Sequence, residues 1–263
     1  MSENNQITLS LKDRQRLYFA SDFHLGAPSQ SLSRERELKI IRWLDQVKTD
    51  AGGIFLVGDL FDFWHEYKKV IPKGFIRFQG KLAELSDAGV PLYIFTGNHD
   101  LWMYDYFTEE LNIPVFRRPV QVIVEDKKIL VGHGDGLGPG DGTYKMLKKI
   151  FENSFCQWLF RQLHPDLGIR LANSWSSKSR LNNTNDSTAQ FLGDKEWLLS
   201  YAKEVEKKQH HDCYIFGHRH LPIDVAVGDK ARYINLGEWI NYYTYAIFDG
   251  KDFALEKFEV KNR

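Results

Sequence analysis

The chain has 263 residues with 35 basic and 35 acidic side chains, so its formal charge at pH 7 is zero. This balance argues against a general nucleic-acid-binding protein, which needs a basic surplus. Hydrophobic residues make up 43% of the chain, enough for a packed core, which excludes a disordered protein. No run of about 18 apolar residues could cross a membrane, and residues 1–10 lack the apolar stretch of a secretory signal. We therefore expect a cytoplasmic protein whose two cysteines stay reduced.

Five short apolar runs recur along the chain, and each is followed directly by a polar cluster. The runs are rich in β-branched and aromatic residues, which is typical of strands buried on both faces. Residues that follow such strands lie at their carboxyl ends, where α/β proteins usually place an active site. Five of the nine histidines lie in these clusters, which begin at Ser21, Gly58, Thr96, Gly132 and Gly217.

Helical patterns separate the first three apolar runs, which favours parallel strands with helices packed outside the sheet. Ser33 is expected to cap a helix over residues 34–48, and residues 75–85 show a similar pattern.

The later part of the chain changes to closely spaced short strands. Residues 120–124 and 128–131 flank a charged tripeptide, which predicts a hairpin, and four more short strands are expected between residues 221 and 260. No linker or repeat divides the sequence. We therefore expect one domain over residues 1–263, built on a mixed sheet or on two packed sheets and covered by helices.

The polar clusters supply seven oxygen and nitrogen donors and no sulfur. Asp22 and His24 are two residues apart, so their side chains point the same way in extended backbone. If Asp59 bridges two cations, each cation has four protein ligands. Such a donor set suits Mn²⁺, Fe, Zn²⁺ or Mg²⁺ and excludes a thiolate zinc site. Two cations about 3.5–4 Å apart would activate a water and hold the oxygens of a phosphoryl group during its displacement. The candidate ligands are Asp22, His24, Asp59, Asn98, His133, His218 and His220.

Each of these motifs is commonplace by itself. An Asp-x-His or Gly-Asp pair is usually a loop or turn, and a His-x-His pair often lies at the surface or in the core. Here all of them occur in order and each follows a strand, which favours a dinuclear metal site over coincidence.

As a set, the motifs resemble the signature blocks of the calcineurin-like metallophosphoesterases. The blocks are Asp22-x-His24, Gly58-Asp59-x-x-Asp62, Gly97-Asn98-His99-Asp100, Gly132-His133 and Gly217-His218-x-His220. The resemblance implies an α/β fold of four layers, an αββα sandwich. It implies one metal on Asp22, His24, Asp59 and His220, and a second on Asp59, Asn98, His133 and His218. It also implies that His99 assists the phosphate and leaving group as a catalytic residue, with Asp100 orienting it. Asp62 either fixes a ligand from behind or is a simple turn carboxylate.

A long insertion precedes the last metal block and is the natural place for a lid. His133 and His218 are 85 residues apart, whereas Asn98 and His133 are 35 apart, and we place a helical lid at about 141–192. Residues 144–180 hold seven basic and two acidic side chains. A basic, aromatic amphipathic helix can lie on an anionic membrane or hold an acyl chain. An ordinary core-packed helix fits the pattern equally well. The apolar residues at helical spacing are Leu147, Ile150, Phe151, Phe155, Trp158 and Leu159.

The chain is also similar to the family of pyrophosphohydrolases that cleave UDP-2,3-diacylglucosamine in lipid A biosynthesis. The similar residues are His133-Gly-Asp-Gly-Leu137, Asp141, Tyr144, Ala172-Asn173-Ser174, Ser176-Ser177-Lys178, and Trp64 after Gly58-Asp59-Leu60-Phe61. This resemblance implies two divalent cations, for which we expect Mn²⁺, and the products UMP and 2,3-diacylglucosamine 1-phosphate (lipid X). It implies inserted helices that accept the acyl chains, and a substrate bound by Asn98, His99, Asp141, Ser174, Lys178 and His218. The enzyme would act as a peripheral protein on the cytoplasmic side of the inner membrane, with no nucleic acid and no obligate protein partner.

One departure keeps two other functions open. Many members of that family carry Arg directly after the metal-binding Asn, where this chain has His99. A soluble nucleotide pyrophosphatase or phosphodiesterase of broader specificity is therefore an alternative. A non-catalytic scaffold of the same fold is a more remote one, because scaffolds of this kind lose ligands and none of the seven is missing here.

Overall fold

The computed structural model describes residues 6–12, 15–139, 142–172 and 190–259. The strands are β1 (Gln6–Leu9), β2 (Arg16–Ala20), β3 (Ala51–Val57), β4 (Leu92–Phe95), β5 (Val115–Phe116), β6 (Val120–Val124), β7 (Lys127–Gly132), β8 (Cys213–Phe216), β9 (Pro222–Val227), β10 (Ala231–Leu236), β11 (Thr244–Phe248) and β12 (Phe253–Lys257). The helices are α1 (Gln30–Val47), α2 (Ile76–Asp87), α3 (Tyr106–Leu111), α4 (Gly142–Glu152), α5 (Ser154–Arg161), α6 (165–172), a 3₁₀ turn (Gly193–Lys195) and α7 (Trp197–Glu206).

The described strands form two mixed sheets. The first, called the β2 sheet, has the order β12-β11-β2-β3-β4-β5, and the second, called the β8 sheet, has the order β1-β6-β7-β8-β10-β9. β2, β3 and β4 run parallel because α1 and α2 carry the chain back between them. β7 and β8 are also parallel, with Gly132 opposite Phe216 at their ends. The carboxyl ends of the parallel strands thus gather at one edge of each sheet.

The two sheets pack face to face because alternate residues of each strand point into a shared core. In β2, Leu17 and Phe19 pack in the same buried cluster as Ile215 of the opposite sheet. Their neighbours Tyr18 and Ala20 point away and pack in a second cluster with the outer helices. The near-continuous apolar runs of the sequence are explained by this burial on both faces.

Helices cover both outer faces, which gives four layers. α1 and α2 pack Trp43 and Leu82 on the β2 sheet. α7 packs Leu198 and Ala202 against Tyr214 of the β8 sheet. The predicted αββα sandwich is therefore confirmed. The predicted hairpin is also confirmed, since β6 and β7 pair antiparallel.

The start of α1 differs from the prediction. The helix begins at Gln30 and is capped by Ser29, whose hydroxyl accepts from the backbone N–H of Leu32 at 3.4 Å. Ser33, the predicted cap, lies inside the helix and accepts from the backbone N–H of Gly26 at 2.7 Å. The prediction of Ser33 is wrong because three serines stand near the helix start, and the extended backbone at Ser29 fits a cap.

The basic, aromatic segment forms three short helices instead of the one expected. Asn153 ends the first of them and caps α5, accepting from the backbone N–H groups of Phe155 and Cys156 at 3.0 and 3.2 Å. Phe155 is 67% exposed and Trp158 is 55% exposed, so the interpretation as a core-packed helix is wrong for these two side chains. None of the helices in the described part of the chain has the length and apolar character that a membrane span requires.

Candidate active site

The candidate site lies where the carboxyl ends of five strands from both sheets meet. The β2 sheet supplies residues that follow β2, β3 and β4, and the β8 sheet supplies residues that follow β7 and β8. A direct link joins the two sheets here, because the backbone N–H of His218 donates to Oδ2 of Asp22 at 3.0 Å. All seven predicted ligands lie in this region: Asp22 and His24 after β2, Asp59 after β3, Asn98 after β4, His133 after β7, and His218 and His220 after β8.

Five of these seven residues have left-handed backbone. Their φ angles lie between 44° and 67°, in a region that residues other than glycine rarely adopt. Backbone of this kind persists only where the surrounding structure holds it, and it is concentrated at functional sites. The strands therefore end in sharp turns that bring the side chains together. The five residues are Asp22, His24, Asp59, His218 and His220.

Two glycines let these turns approach one another closely. A Cβ atom on Gly97 would lie 2.7 Å from both the backbone N of Asp59 and Nε2 of His133. Gly58 combines a φ of +82° with a position where a Cβ atom would lie 2.6 Å from Nδ1 of His133. Only glycine fits at these two positions without moving a candidate ligand.

The first group of donors surrounds Asp22 and His24. Nε2 of His24 lies 3.8 Å from Oδ1 of Asp22 and 3.8 Å from Oδ2 of Asp59. Nε2 of His220 lies 3.1 Å from Oδ1 of Asp22 and 3.1 Å from Nε2 of His24. The ligand atoms of these four residues all lie within 4.8 Å of one another, as they would around a single cation.

The second group shares Asp59 with the first. Asp59, His133 and His218 also offer ligand atoms that all lie within 4.8 Å of one another. Nε2 of His133 lies 3.4 Å from Oδ2 of Asp59 and 3.3 Å from Oδ1 of Asn98. Its Nδ1 lies 2.9 Å from the carbonyl oxygen of Val57, which leaves Nε2 facing the site. Such partners behind a ligand are how proteins fix the orientation of a metal-binding histidine.

The charge and hydrogen bonding of the site fit divalent metal ions. Oδ1 of Asp22 and Oδ2 of Asp59 are buried, and the described residues give neither oxygen a hydrogen-bond partner. Burial raises the pKa of Asp59, but the charge and the hydrogen bond of His133 outweigh burial and hold that pKa far below its usual value. Burial lowers the pKa of His133, but the charge of Asp59 outweighs burial and raises it to about 10. A divalent cation held by these residues would balance the charge of the two carboxylates, and ligation would require the neutral form of His133.

His99 lies beside the cluster with its ring held from behind. Its ring stands edge-on to the ring of His24, with centroids 4.9 Å apart. Its Nδ1 lies 2.9 Å from the carbonyl oxygen of Asp62, and a carboxylate oxygen of Asp62 lies 3.8 Å from Nδ1 of His24. Asp62 is buried. Of the two interpretations of Asp62, the structure favours the one in which it positions the site histidines from behind.

Asp100 has a different role from the one predicted. We expected its carboxylate to orient His99, but it accepts from the backbone N–H groups of Leu60 and Gly97, both at 2.7 Å, and of Asp59 at 3.3 Å. Asp100 therefore ties the turn after β3 to the turn after β4. Burial, followed by the charge of Asp59, raises its pKa to about 7. Sequence spacing could not separate these roles because two of the partners of Asp100, the backbone N–H groups of Asp59 and Leu60, are about 40 residues away.

Sequence reasoning missed two buried arginines that support the site. Arg36 of α1 donates to the carbonyl oxygen of His24 at 2.7 Å. Arg219 lies between two candidate ligands, and its Nε donates to both carboxylate oxygens of Glu196 at 3.1 Å. A signal for Arg36 exists, since it is a charged residue on the inner face of an amphipathic helix. Asp141, Ser174 and Lys178, three of the predicted substrate-binding residues, lie outside the described residues.

The lid helices lie next to this site. The indole N–H of Trp102, in the segment after β4, donates to the carbonyl oxygen of Phe151 in α4 at 2.9 Å. The ring of Phe160 in α5 packs on Trp102 and on His65, with centroids 4.6 and 4.8 Å apart. α4 and α5 are thus anchored to the segments that follow β3 and β4, close to Asp59 and Asn98.

A four-layer sandwich that gathers carboxylate and imidazole donors from both sheets defines a metal-dependent phosphoesterase. The chain belongs to the calcineurin-like phosphoesterase family, whose model matches residues 15–222.

Individual relatives match almost the whole chain. The UDP-2,3-diacylglucosamine hydrolase of Porphyromonas gingivalis is 38% identical over 258 residues, which cover 94% of this chain and 98% of that protein. The UDP-2,3-diacylglucosamine hydrolase of Proteus mirabilis is 28% identical over 224 residues, which cover 84% of this chain and 90% of that protein. The UDP-2,3-diacylglucosamine hydrolase of Aeromonas hydrophila is 28% identical over 230 residues, which cover 84% of this chain and 89% of that protein.

Proposed function

We propose that this protein hydrolyses the pyrophosphate bond of UDP-2,3-diacylglucosamine to UMP and 2,3-diacylglucosamine 1-phosphate. The observation that carries the proposal is a buried Asp/His cluster, with neighbouring helices that expose aromatic side chains to solvent. The cluster suits a phosphoryl displacement, and the exposed aromatic side chains suit an acylated substrate. Relatives with this activity in their names match the chain over nearly its full length, which supports the same assignment.

The donor set suits two Mn²⁺ ions that share Asp59. One ion would be held by Asp22, His24, Asp59 and His220, and the other by Asp59, Asn98, His133 and His218. Two cations supply an activated water and stabilise the charge on the phosphoryl oxygens. The protein contributes ionised carboxylates, and burial lowers the pKa of His218 to about 4, which keeps that imidazole in the neutral form that ligation requires.

His99 is assigned a role in assisting the leaving group of the reaction. Burial lowers its pKa to about 4, so the ring is neutral, and the carbonyl oxygen of Asp62 accepts from Nδ1. Nε2 is then the ring atom that can take up a proton and donate it to a phosphate oxygen. His99 also stands where many relatives of the lipid A branch carry Arg, so it is the residue to test for a change in leaving-group recognition.

The lid at about 141–192 is assigned to the acyl chains and to the membrane surface. Phe155 and Trp158 stack with ring centroids 5.9 Å apart and are mostly exposed. Arg170 of the neighbouring helix α6 is also exposed. Apolar rings flanked by basic side chains favour binding to an anionic bilayer. The protein would then work at the inner membrane, where a diacylated substrate is found.

The experiment that tests the proposal measures release of UMP from UDP-2,3-diacylglucosamine in detergent micelles with Mn²⁺. Asp59→Asn and His133→Ala should reduce turnover by at least a thousandfold, because each removes a donor from the cluster. Asp229→Asn, a matched change in the exposed turn before β10, should keep wild-type activity. Turnover within tenfold of wild type in both cluster variants would disprove the site.

A second, water-soluble substrate distinguishes the proposed activity from that of a nucleotide pyrophosphatase with broader specificity. Phe155→Ser/Trp158→Ser should reduce turnover of UDP-2,3-diacylglucosamine much more than turnover of UDP-glucose. Equal losses on both substrates would favour the water-soluble alternative. The scaffold alternative predicts no turnover of either substrate and no bound transition metal in the purified protein.

A further inference from the structure

A basic cavity of about 470 Å³ lies beside the metal cluster on the side of His133. The end of β4, the loop between β5 and β6, the loop after β7 and one face of α4 form its walls. Its volume lies in the range of small-molecule sites. Five basic side chains line it against two acidic ones, Asp135 and Glu152, in a protein of zero net charge. The five are Arg117, Arg118, Lys145, Lys148 and Lys149.

Most of this charge comes from one face of α4. Lys145, Lys148, Lys149 and Glu152 follow the spacing i, i+3, i+4 and i+7, which places them on the same side of a helix. The charge of Lys148 is already compensated, because its Nζ lies 2.6 Å from Oδ2 of Asp135. This ion pair holds α4 against the loop after β7. The remaining lysines of this face are available to another anion.

Four cations at the cavity have no carboxylate partner within the described ranges: Arg117, whose guanidinium donates to the carbonyl oxygen of Met103, and Arg118, Lys145 and Lys149. The hydroxyl of Thr96 also lines the cavity, is buried, and has no hydrogen-bond partner there. A buried hydroxyl without a partner is costly, and a ligand that bonds to it removes the cost. The cavity is therefore equipped for a ligand that has both an anionic group and neutral polar groups.

The position of the cavity relative to the cluster limits what this ligand can be. Phe151 and Phe160 of the lid contact Trp102, whereas His133 lines the cavity. When the pyrophosphate of a diester is bound at the cluster, the two groups attached to it must extend from the cluster in different directions. The acylated half fits the aromatic side, and the other half is a nucleoside monophosphate, which carries a phosphate and several hydroxyl and carbonyl groups.

We infer that the basic cavity is the subsite for the uridine monophosphate half of the substrate, an inference that rests on the proposed function. Arg118 and Lys149 neutralise the phosphate from the outer side of the cavity, and the hydroxyl of Thr96 bonds to a polar group of the nucleoside. Binding by two side-chain cations explains why the face of α4 opposite to its exposed apolar residues is basic.

The test is calorimetric titration of UMP, uridine and inorganic phosphate into the Mn²⁺-loaded protein. Arg118→Gln/Lys149→Gln should weaken UMP binding at least tenfold, because two charge-assisted contacts are lost, and should change uridine binding much less. Lys230→Gln, in the exposed turn between β9 and β10, is the matched control and should bind UMP like the wild type. Unchanged UMP affinity in the double variant would overturn the assignment.

A kinetic comparison separates this inference from the proposed function. With UDP-2,3-diacylglucosamine, the double variant should raise KM about tenfold, whereas the matched Lys230→Gln variant should leave KM and kcat at their wild-type values. Absence of turnover of the UDP-lipid by the wild type would refute the proposed function, while a tenfold loss of UMP affinity in the double variant would still support a nucleotide subsite. Loss of binding to anionic vesicles with UMP binding intact would instead assign these cations to a membrane surface and overturn the inference.

Discussion

Removing Glu196 should destabilise the protein strongly, because it leaves a buried charge without its partner. Arg219 and Glu196 are almost fully buried and form a bidentate pair, with Nη2 of Arg219 3.0 Å from Oε1 of Glu196 in addition to the two bonds from Nε. Among the described residues, Nη2 of Arg219 also donates to the carbonyl oxygen of Gln190 at 2.8 Å, a bond that does not depend on Glu196. Glu196→Ala removes three of these contacts and no large apolar surface.

The expected loss is about 3–5 kcal/mol in the free energy of unfolding, the usual cost of breaking a buried pair from one side. Replacing both residues by apolar ones, Arg219→Met/Glu196→Leu, should cost much less than the sum of the two single changes, because no buried charge is left. The free energies come from urea unfolding followed by tryptophan fluorescence and extrapolated to zero denaturant. Destabilisation by less than about 1 kcal/mol in Glu196→Ala would show that the pair is hydrated in solution and would refute this reasoning.

Three further predictions concern the site and the core. Gly97→Ala should leave the protein folded by circular dichroism but lower its Mn²⁺ content, measured by mass spectrometry, because the new Cβ would lie 2.7 Å from Nε2 of His133. Chelation with EDTA followed by gel filtration should abolish turnover, and added Mn²⁺ should restore it; activity that survives chelation would argue against metal dependence. Trp43→Ala should lower the free energy of unfolding by about 3–5 kcal/mol, because the indole is fully buried between α1 and the β2 sheet.

The layered fold and the location of the donors could be predicted because both depend on local patterns. Each donor follows a buried strand directly, and parallel strands bring such positions to one edge of a sheet. Asp22 and Asp59, which follow the parallel neighbours β2 and β3, could therefore be placed near each other without knowledge of any long-range contact. The αββα layering followed from a family resemblance carried by the same motifs.

Other features could not be predicted because they depend on contacts between distant parts of the chain. The strand β1 is a short, half-exposed edge strand with polar residues, and only its pairing with β6 makes it regular. The partners of Asp100 are backbone groups of another turn. The break at Asn153 was not predicted, because the helical spacing of the apolar residues continues through it. The cavity combines an arginine pair after β5 with lysines of α4, which no sequence pattern relates.

The link between His218 and Asp22 has a consequence for the order of events in folding. Four candidate ligands follow strands of the β2 sheet and three follow strands of the β8 sheet, and each of the two groups draws on both. A chain in which only one sheet has formed therefore completes neither group of donors. Tight metal binding would require that the two sheets have already packed together. Metal bound at this position would then slow the separation of the sheets during unfolding.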